Sequence, residues 1–316
     1  MTDSGRTVSH EGARTEKASI PSRGSEPQRS SRLPYLAIAL GIPALGLSTF
    51  FVRWAAAPGP VTAFYRMGLA SLVLAPALLP RRGNSRPWPR AGLILAALGG
   101  LFLAADLALW NTSVNLTSAA NASLLGNCSL LWVALAAGPV FGEKLTARFW
   151  LGFLIALAGV AAVASADFVV LPKSFSGDLL ALIGGISYAG YYLVTQSGRQ
   201  YLDSLTYIGV MSLTATILLL PVCLVLREPL AGYSRGTYLD FLSLALITQV
   251  CGYLIIGYAL GHLRASLVAS TMLAQPVFTA LVAIPLLGEH LSTVQCLGGI
   301  TVISGIILVH RSRQGE

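Results

Sequence analysis

The chain contains few charged side chains. Only 11% of its 316 residues are Asp, Glu, Lys or Arg, whereas 54% are hydrophobic, and the mean hydropathy is +0.70. A soluble domain carries about a quarter charged residues. This shortage excludes an ordinary soluble globule and favours a bundle of membrane helices.

The residue types that build metal sites and catalytic centres are also few and scattered. The sequence has no Cys-x-x-Cys pair and no Walker phosphate loop, and its histidines form no set with the acids. We therefore predict no metal, no cofactor, no internal ATP site and no catalytic residue, and we interpret the cysteines as buried reduced thiols. The residues concerned are His10, His262, His290, His310, Cys128, Cys223, Cys251 and Cys296.

Residues 1–33 differ from the rest of the chain. They are rich in Ser, Arg, Gly and Glu and contain very few apolar residues, so we predict a disordered tail. The segment is too polar and too long for the start of a signal peptide.

Ten apolar segments of membrane-spanning length follow, separated by Pro, Gly and charged residues. Every connection is short, so consecutive helices must be antiparallel neighbours. The fold class predicted is therefore all-α integral membrane with ten transmembrane helices. The segments lie near 35–53, 60–79, 91–110, 118–141, 147–166, 177–197, 204–226, 238–261, 265–287 and 292–310.

The positions of Lys and Arg predict the orientation. With a cytoplasmic N-terminus, 16 of the 21 basic residues fall on the inside, 4 fall on the outside, and Arg66 lies within a span. This bias predicts that both termini, including the short tail 311–316, are cytoplasmic. It also explains the net charge of +8 as an orientation signal, so we predict no nucleic-acid partner.

An internal repeat divides the chain. Residues 119–163 match residues 265–309 at 12 of 45 positions without a gap, including a Gly-Glu pair at 142–143 and 288–289. We predict two five-helix repeats, 34–168 and 176–310. Because each repeat holds an odd number of spans, the two lie inverted in the membrane, as in carriers with a central cavity.

The doubled GE hairpin, "FYRMGLA" in the second segment and "YALGHLRASLVASTMLAQPVFTALVAIPLLGE" in the eighth and ninth resemble the EamA-type drug/metabolite transporter superfamily. The resemblance covers about 35–310. It implies a ten-helix transporter of small metabolites such as amino acids, with the first, third, fourth, sixth, eighth and ninth helices around the cavity.

Two opposite charges lie deep in neighbouring segments. Arg66 is six residues past the start of the second segment, about 9 Å deep, and Asp106 lies at about 7–8 Å in the third. We predict an intramembrane ion pair, because an unpaired charge at that depth costs several kcal/mol. A structural clamp is the simpler interpretation. The functional alternatives are proton coupling by Asp106 and binding of a solute carboxylate by Arg66.

The remaining candidates for solute binding are polar or aromatic residues on helices that the resemblance places around the cavity. Tyr188 and Tyr192 are four residues apart, as are Gln249 and Tyr253, so each pair shares a helix face. Gln275 precedes Pro276 in mid-helix, where family members often have a glutamate that this chain lacks. The full set is Ser48, Asp106, Trp110, Asn127, Tyr188, Tyr192, Gln249, Tyr253 and Gln275.

Glu143 and Glu289 occupy the two GE turns. We predict that each accepts hydrogen bonds from the amides at the start of the following helix, where negative charge is favoured. We assign them no role in transport.

These features predict a secondary active exporter of amino acids or drug-like compounds that works by alternating access in a bacterial plasma membrane. Its partners would be a small-molecule solute and the lipid bilayer, and the protein would be a monomer or a homodimer. Two alternatives remain open at this stage. One is a membrane-embedded enzyme that acts on lipid, and the other is a passive channel.

Overall fold

The computed structural model describes residues 32–79, 88–116, 125–164, 174–287 and 292–312. The described residues from Leu33 onward form one compact unit. The predicted tail 1–33 lies almost wholly outside the described residues. All the regular structure within the described ranges is helical.

Within the described residues, eight helices are long and apolar enough to cross a membrane. Two further apolar helices are shorter, Leu125–Phe141 and Ala147–Val163. We number the ten in chain order. α1 is Leu33–Ala55, α2 Gly59–Leu78, α3 Arg90–Leu116, α4 Leu125–Phe141, α5 Ala147–Ala164, α6 Ser174–Gly198, α7 Ser204–Val225, α8 Arg235–Leu260, α9 Ala265–Leu287 and α10 Thr293–Arg311.

Local sequence signals set several helix ends. The Asp203 carboxylate accepts from the Thr206 backbone N–H at the start of α7, and Ser292 and Gln295 form a capping box at the start of α10. α4 ends at Gly142, whose φ of 69° is left-handed and suits glycine.

Three helices are irregular in their middle. α1 consists of Leu33–Gly46 and Ser48–Ala55, and α9 consists of Ala265–Met272 and Gln275–Leu287. The interruption in α9 precedes Pro276, which cannot donate a backbone hydrogen bond. α8 contains a π-helical segment, Leu244–Gly252, which we call the π segment.

Glycines bring several helices into backbone contact. Gly152 on α5 lies against Gly305 on α10, and Gly159 on α5 lies against Gly298 on α10. Residue numbers increase along α5 while those of the contacting glycines on α10 decrease, so the two helices are antiparallel. α3 and α6 are also antiparallel, with Gly184 near Asp106 and Gly190 against Phe102.

The distribution of polarity is that of a membrane protein. Leu297 and Ile300 on α10 are 60% and 65% exposed, whereas Arg66, Ser212 and Gln249 are buried between helices. Exposed apolar side chains thus face outward, and Arg66, Ser212 and Gln249 lie inside. We therefore expect a solute site in the interior, between the helices.

Candidate functional site

Arg66 is the centre of the candidate site. It lies on α2 and is 5% exposed, and its Nε donates a hydrogen bond of 3.2 Å to Oε1 of Gln249 on α8. The Arg66 guanidinium carbon also lies 5.3 Å from the ring centroid of Tyr253, within the range of a cation–π contact. A buried cation is therefore held by one hydrogen bond and one aromatic face.

The π segment places both partners of Arg66. Gln249 lies within it, and Tyr253 follows its last residue. π-helical turns are rare and are found frequently at functional sites. The Nε2 atom of Gln249 lies 3.5 Å from Oγ of Ser212 on α7, so a polar chain runs from Arg66 through Gln249 to Ser212. We call Arg66, Gln249, Tyr253 and Ser212 the arginine network.

A cluster of tyrosines adjoins the arginine network. Tyr188, Tyr191 and Tyr192 on α6 contact one another at centroid distances of 5.1 to 5.6 Å. Tyr191 also lies 5.4 Å from Tyr253, which joins the cluster to Arg66. Tyr191 and Tyr192 are fully buried, and Tyr188 is half-buried. The site is therefore cationic at one end and aromatic beside it.

Asp106 lies close to this site without touching Arg66 directly. Its charge is near enough to interact with both Arg66 and Tyr253. Among the described residues, however, Arg66 forms no ion pair within 4.0 Å, and its polar contact is Gln249. The predicted ion pair of Arg66 and Asp106 stays a prediction, because their charges interact while the hydrogen bond of Arg66 goes to Gln249. The side chain of Arg66 reaches α8, where a neutral amide satisfies it, and Asp106 remains half-buried on α3.

Trp110 lies one turn beyond Asp106 on α3. It is half-buried, and its indole packs against the backbone of Gly126, which precedes the half-buried Asn127. The structure therefore brings Trp110 to the start of α4, beside Asn127. Asp106 and Trp110 share a helix face, so this group continues from the arginine network toward the C-terminal end of α3.

Gln275 and Ser48 lie where α9 meets α1. The Nε2 atom of Gln275 approaches the Leu45 carbonyl at 3.4 Å, and the Thr279 hydroxyl donates to the Gly46 carbonyl at 3.3 Å. These contacts satisfy carbonyls at the interruption of α1, and Ser48 begins the next segment. Leu45 in turn packs on Gly252 of the π segment. Leu45 thus contacts both Gln275 and the π segment, and it links Gln275 to the arginine network indirectly.

Sequence reasoning missed two members of the site, Tyr191 and Ser212. Tyr191 is three residues from Tyr188 and shares its helix face, so the spacing rule that selected Tyr188 and Tyr192 also applied to Tyr191. Ser212 carries only a weak signal, because an isolated serine in an apolar helix is common. The repeat, extended without a gap, places Ser212 at the position equivalent to Arg66 but does not indicate a contact between them. The packing of α7 against α8, which brings Ser212 to Gln249, identifies it as a member of the site.

The GE turn makes contacts that the sequence did not predict, while the predicted capping by Glu143 stays a prediction. Glu143 Oε2 accepts a hydrogen bond from the Ser266 hydroxyl at the start of α9, and Thr146 Oγ1 accepts from the Phe149 N–H at the start of α5. Thr146 therefore caps α5, while Glu143 links α4 to α9. Glu289, its counterpart in the repeat, lies outside the described residues.

An apolar groove of 430 Å³ lies elsewhere, between α9, α10 and the end of α5. Its lining includes Val277, Ile300 and Ile303, and it contains none of the predicted site residues. Its polar lining is limited to Gln295 and Ser304, so it holds no charged group that could pair with a charged solute.

Helices that span a membrane and enclose a buried arginine beside an aromatic cluster define an integral membrane protein with an internal polar site. The relatives identify its class as membrane transporters. The chain belongs to the EamA-like transporter family, which it matches over residues 32–165 and 175–311.

Individual relatives agree with this family. The chain is 30% identical over 250 residues, 78% of its length and 86% of the relative, to an uncharacterized transporter of Archaeoglobus fulgidus. It is 27% identical to a probable terminal-alkyne amino-acid exporter of Streptantibioticus cattleyicolor, covering 79% of this chain and 84% of that protein. A solved crystal structure superposes with a TM-score of 0.73 at 19% identity, over 88% of this chain and 97% of that one, which shows a shared fold.

Proposed function

We propose that the protein is a secondary active exporter of zwitterionic or uncharged small metabolites with an apolar part, such as amino acids, and that it works by alternating access. The observation that carries the proposal is the buried Arg66, held by Gln249 and Tyr253 beside a tyrosine cluster. A cation of this kind inside membrane helices marks a solute or ion pathway more often than a structural site.

The charges support the solute class. Arg66 can bind a carboxylate, and Asp106 can bind an ammonium group near it. The tyrosine rings offer an aromatic surface to the remaining part of the solute. The name of the S. cattleyicolor relative, an amino-acid exporter, agrees with this class.

Helix packing supports two inverted repeats. The repeat aligns Gly152 with Gly298 and Gly159 with Gly305. In the structure, Gly152 contacts Gly305 and Gly159 contacts Gly298, so exchanging the two halves reproduces the same pair of contacts. The antiparallel course of α5 and α10 has the same symmetry, as expected for a two-fold axis in the membrane plane.

The wider packing has the same symmetry. α2 packs on α7 and α4 on α9, each helix against its own counterpart. The pair α3–α6 corresponds to the pair α8–α1. Rocking two such halves about a central solute would expose the site to each side in turn. We further propose ten spans with both termini cytoplasmic in the plasma membrane of a bacterium, as the distribution of basic residues indicates.

Transport in proteoliposomes tests the proposal. Vesicles loaded with unlabelled L-phenylalanine should accumulate labelled L-phenylalanine by counterflow, with saturation, whereas protein-free vesicles should not. A flux that does not saturate and shows no counterflow would indicate a channel instead. If no member of a panel of amino acids and amine-containing drugs crosses above protein-free vesicles, the proposed function is wrong.

A further inference from the structure

Gln249 occupies a hydrogen-bonding position on Arg66 that a solute carboxylate could take. Arg66 Nε carries a hydrogen and can only donate, so the Gln249 atom facing it must be the amide oxygen. The amide nitrogen then points toward Ser212 on α7. Gln249 is fully buried, so its orientation is held by these two partners alone among the described residues.

The π segment that carries Gln249 holds a second unusual feature. The hydroxyl of Thr248 is buried and has no hydrogen-bond partner among the residues described. A buried unsatisfied hydroxyl is costly, and in a regular α-helix threonine commonly donates to the carbonyl four residues earlier. The π segment therefore lacks a hydrogen bond that an α-helical register would supply.

We propose that Gln249 is an internal ligand of Arg66, that a solute carboxylate displaces it, and that this displacement allows the π segment to change register. This inference rests on the proposed function, because it assumes a solute that carries a carboxylate. It goes beyond that function by naming the residue that sets solute affinity and the helix segment that responds.

The relative strength of the two acceptors favours displacement. A hydrogen bond from guanidinium to carboxylate is about twice as strong as one between neutral groups, and a carboxylate can accept from two guanidinium nitrogens at once. Once displaced, the Gln249 oxygen would be buried without a partner, which is unfavourable. A shift of the π segment by one residue, about 1.5 Å along the helix, would move Gln249 and Tyr253 together.

An internal ligand competes with the solute, so each substitution of Gln249 should change the solute affinity in a predictable direction. Gln249→Met has a similar shape and only a weakly accepting thioether in place of the amide, so it should bind L-phenylalanine about tenfold more tightly. Gln249→Glu is a stronger internal ligand, so it should bind L-phenylalanine at least tenfold more weakly. Phenethylamine has no carboxylate to compete for Arg66, so its affinity should change less than twofold in Gln249→Met.

The measurement is equilibrium binding of labelled L-phenylalanine and phenethylamine to full-length protein in lipid nanodiscs. Gln200→Leu is the matched control, because Gln200 is exposed beyond the end of α6. Tighter binding by Gln249→Met together with weaker binding by Gln249→Glu supports the proposal. Unchanged or weaker binding by a folded Gln249→Met overturns it, because a residue that merely positions Arg66 would lose affinity when removed.

A second readout needs no solute. Cys251 lies in the π segment and is exposed, so a trifluoromethyl label on its thiol reports the segment by ¹⁹F NMR after Cys296→Ser removes the other exposed thiol. Gln249→Met should shift the resonance, and Gln200→Leu should not. An unchanged spectrum in Gln249→Met overturns the proposal even if L-phenylalanine is transported. A shifted spectrum with no transport of any tested compound leaves Gln249 as an internal ligand and rejects the proposed function.

Discussion

A Cβ atom added to Gly305 on α10 would lie 2.5 Å from the carbonyl oxygen of Gly152 on α5. The two helices are therefore in backbone contact, as in other membrane helix pairs that associate through small residues. The contact is part of the pattern that relates the two halves of the chain.

Gly305→Ala should destabilise the protein by about 1–3 kcal/mol, because the added methyl group would meet backbone atoms that cannot move aside independently. Thermal unfolding in detergent measures the effect. Gly299→Ala on the same helix is the control, since its Cβ would meet only a side-chain methyl of Val277, at 3.3 Å. Equal losses of stability in the two variants would contradict the proposed backbone contact.

Arg66→Ala and Asp106→Ala should not be additive. The charges of Arg66 and Asp106 interact although the two side chains form no hydrogen bond with each other. Removing Arg66 alone therefore leaves the Asp106 carboxylate without its neutralising cation. The double variant should be more stable than the sum of the single losses predicts, by about 0.5–3 kcal/mol. Arg66→Ala combined with Asp203→Ala should be additive and serves as the control. Asp203 lies at the start of α7, nine residues before Ser212, so it is about 13 Å along the helix from the part of α7 that faces the arginine network. Strict additivity in the first pair would show that the two charges are uncoupled.

Arg66→Lys should reduce counterflow of L-phenylalanine at least tenfold. Lysine keeps the charge, but it lacks the planar guanidinium that bonds Gln249 while stacking on Tyr253. The measurement is the initial rate in proteoliposomes, normalised to the amount of folded protein. Arg53→Lys on the exposed end of α1 should retain the wild-type rate. A lysine variant with full activity would mean that charge alone suffices.

Tyr191→Phe should melt at or slightly above the wild-type temperature. The Tyr191 hydroxyl is buried and has no hydrogen-bond partner in the described part of the chain, so removing it removes an unsatisfied group. Tyr191→Ala should cost about 3–5 kcal/mol, because it empties a large buried volume in the tyrosine cluster. Calorimetry of both variants decides this. A loss above about 1 kcal/mol in Tyr191→Phe would reveal a partner for the hydroxyl.

Asp203 should contribute stability that depends on pH. Burial alone would raise the pKa of this carboxyl, but hydrogen bonds from the Thr206 side chain and backbone outweigh burial and hold the pKa below its usual value. The contribution is therefore present above the unfolded pKa, about 3.9, and is lost as the pH falls through the folded value.

The variant Asp203→Ala should be about 1 kcal/mol less stable than wild type at pH 7. The difference should shrink below about pH 4, as the wild-type cap becomes protonated. Melting temperatures of both proteins from neutral to acidic pH measure it. A difference that stays constant over this range would show that the charge of Asp203 is irrelevant to the cap.

Much of the fold could be predicted from the sequence. Hydropathy places most helix ends within about three residues of those observed, because burial in lipid requires long apolar segments that satisfy their own backbone. The third helix runs six residues further than predicted, to Leu116, and the predicted start of the fourth lies outside the described residues. Spacing also identified Gln249 and Tyr253 as a pair, since residues four apart share a helix face. Both contact Arg66 in the structure.

The partner of Arg66 could not be predicted in the same way. Depth in the membrane suggested Asp106, which is on the neighbouring helix of the hairpin. Depth does not determine how a helix is rotated about its axis, and that rotation decides which helix a long side chain meets. The packing of α2 against the π segment directs Arg66 to Gln249 instead.

The sequence by itself determined the membrane helices, the duplicated pattern and the presence of a charge inside the membrane, because each depends on the polarity and order of residues along the chain. Only the tertiary structure decided that a neutral amide holds Arg66, that Tyr191 completes the aromatic cluster and that Glu143 links α4 to α9. These are contacts between helices distant in sequence, and they depend on helix rotation and on an irregular π segment that local patterns do not encode.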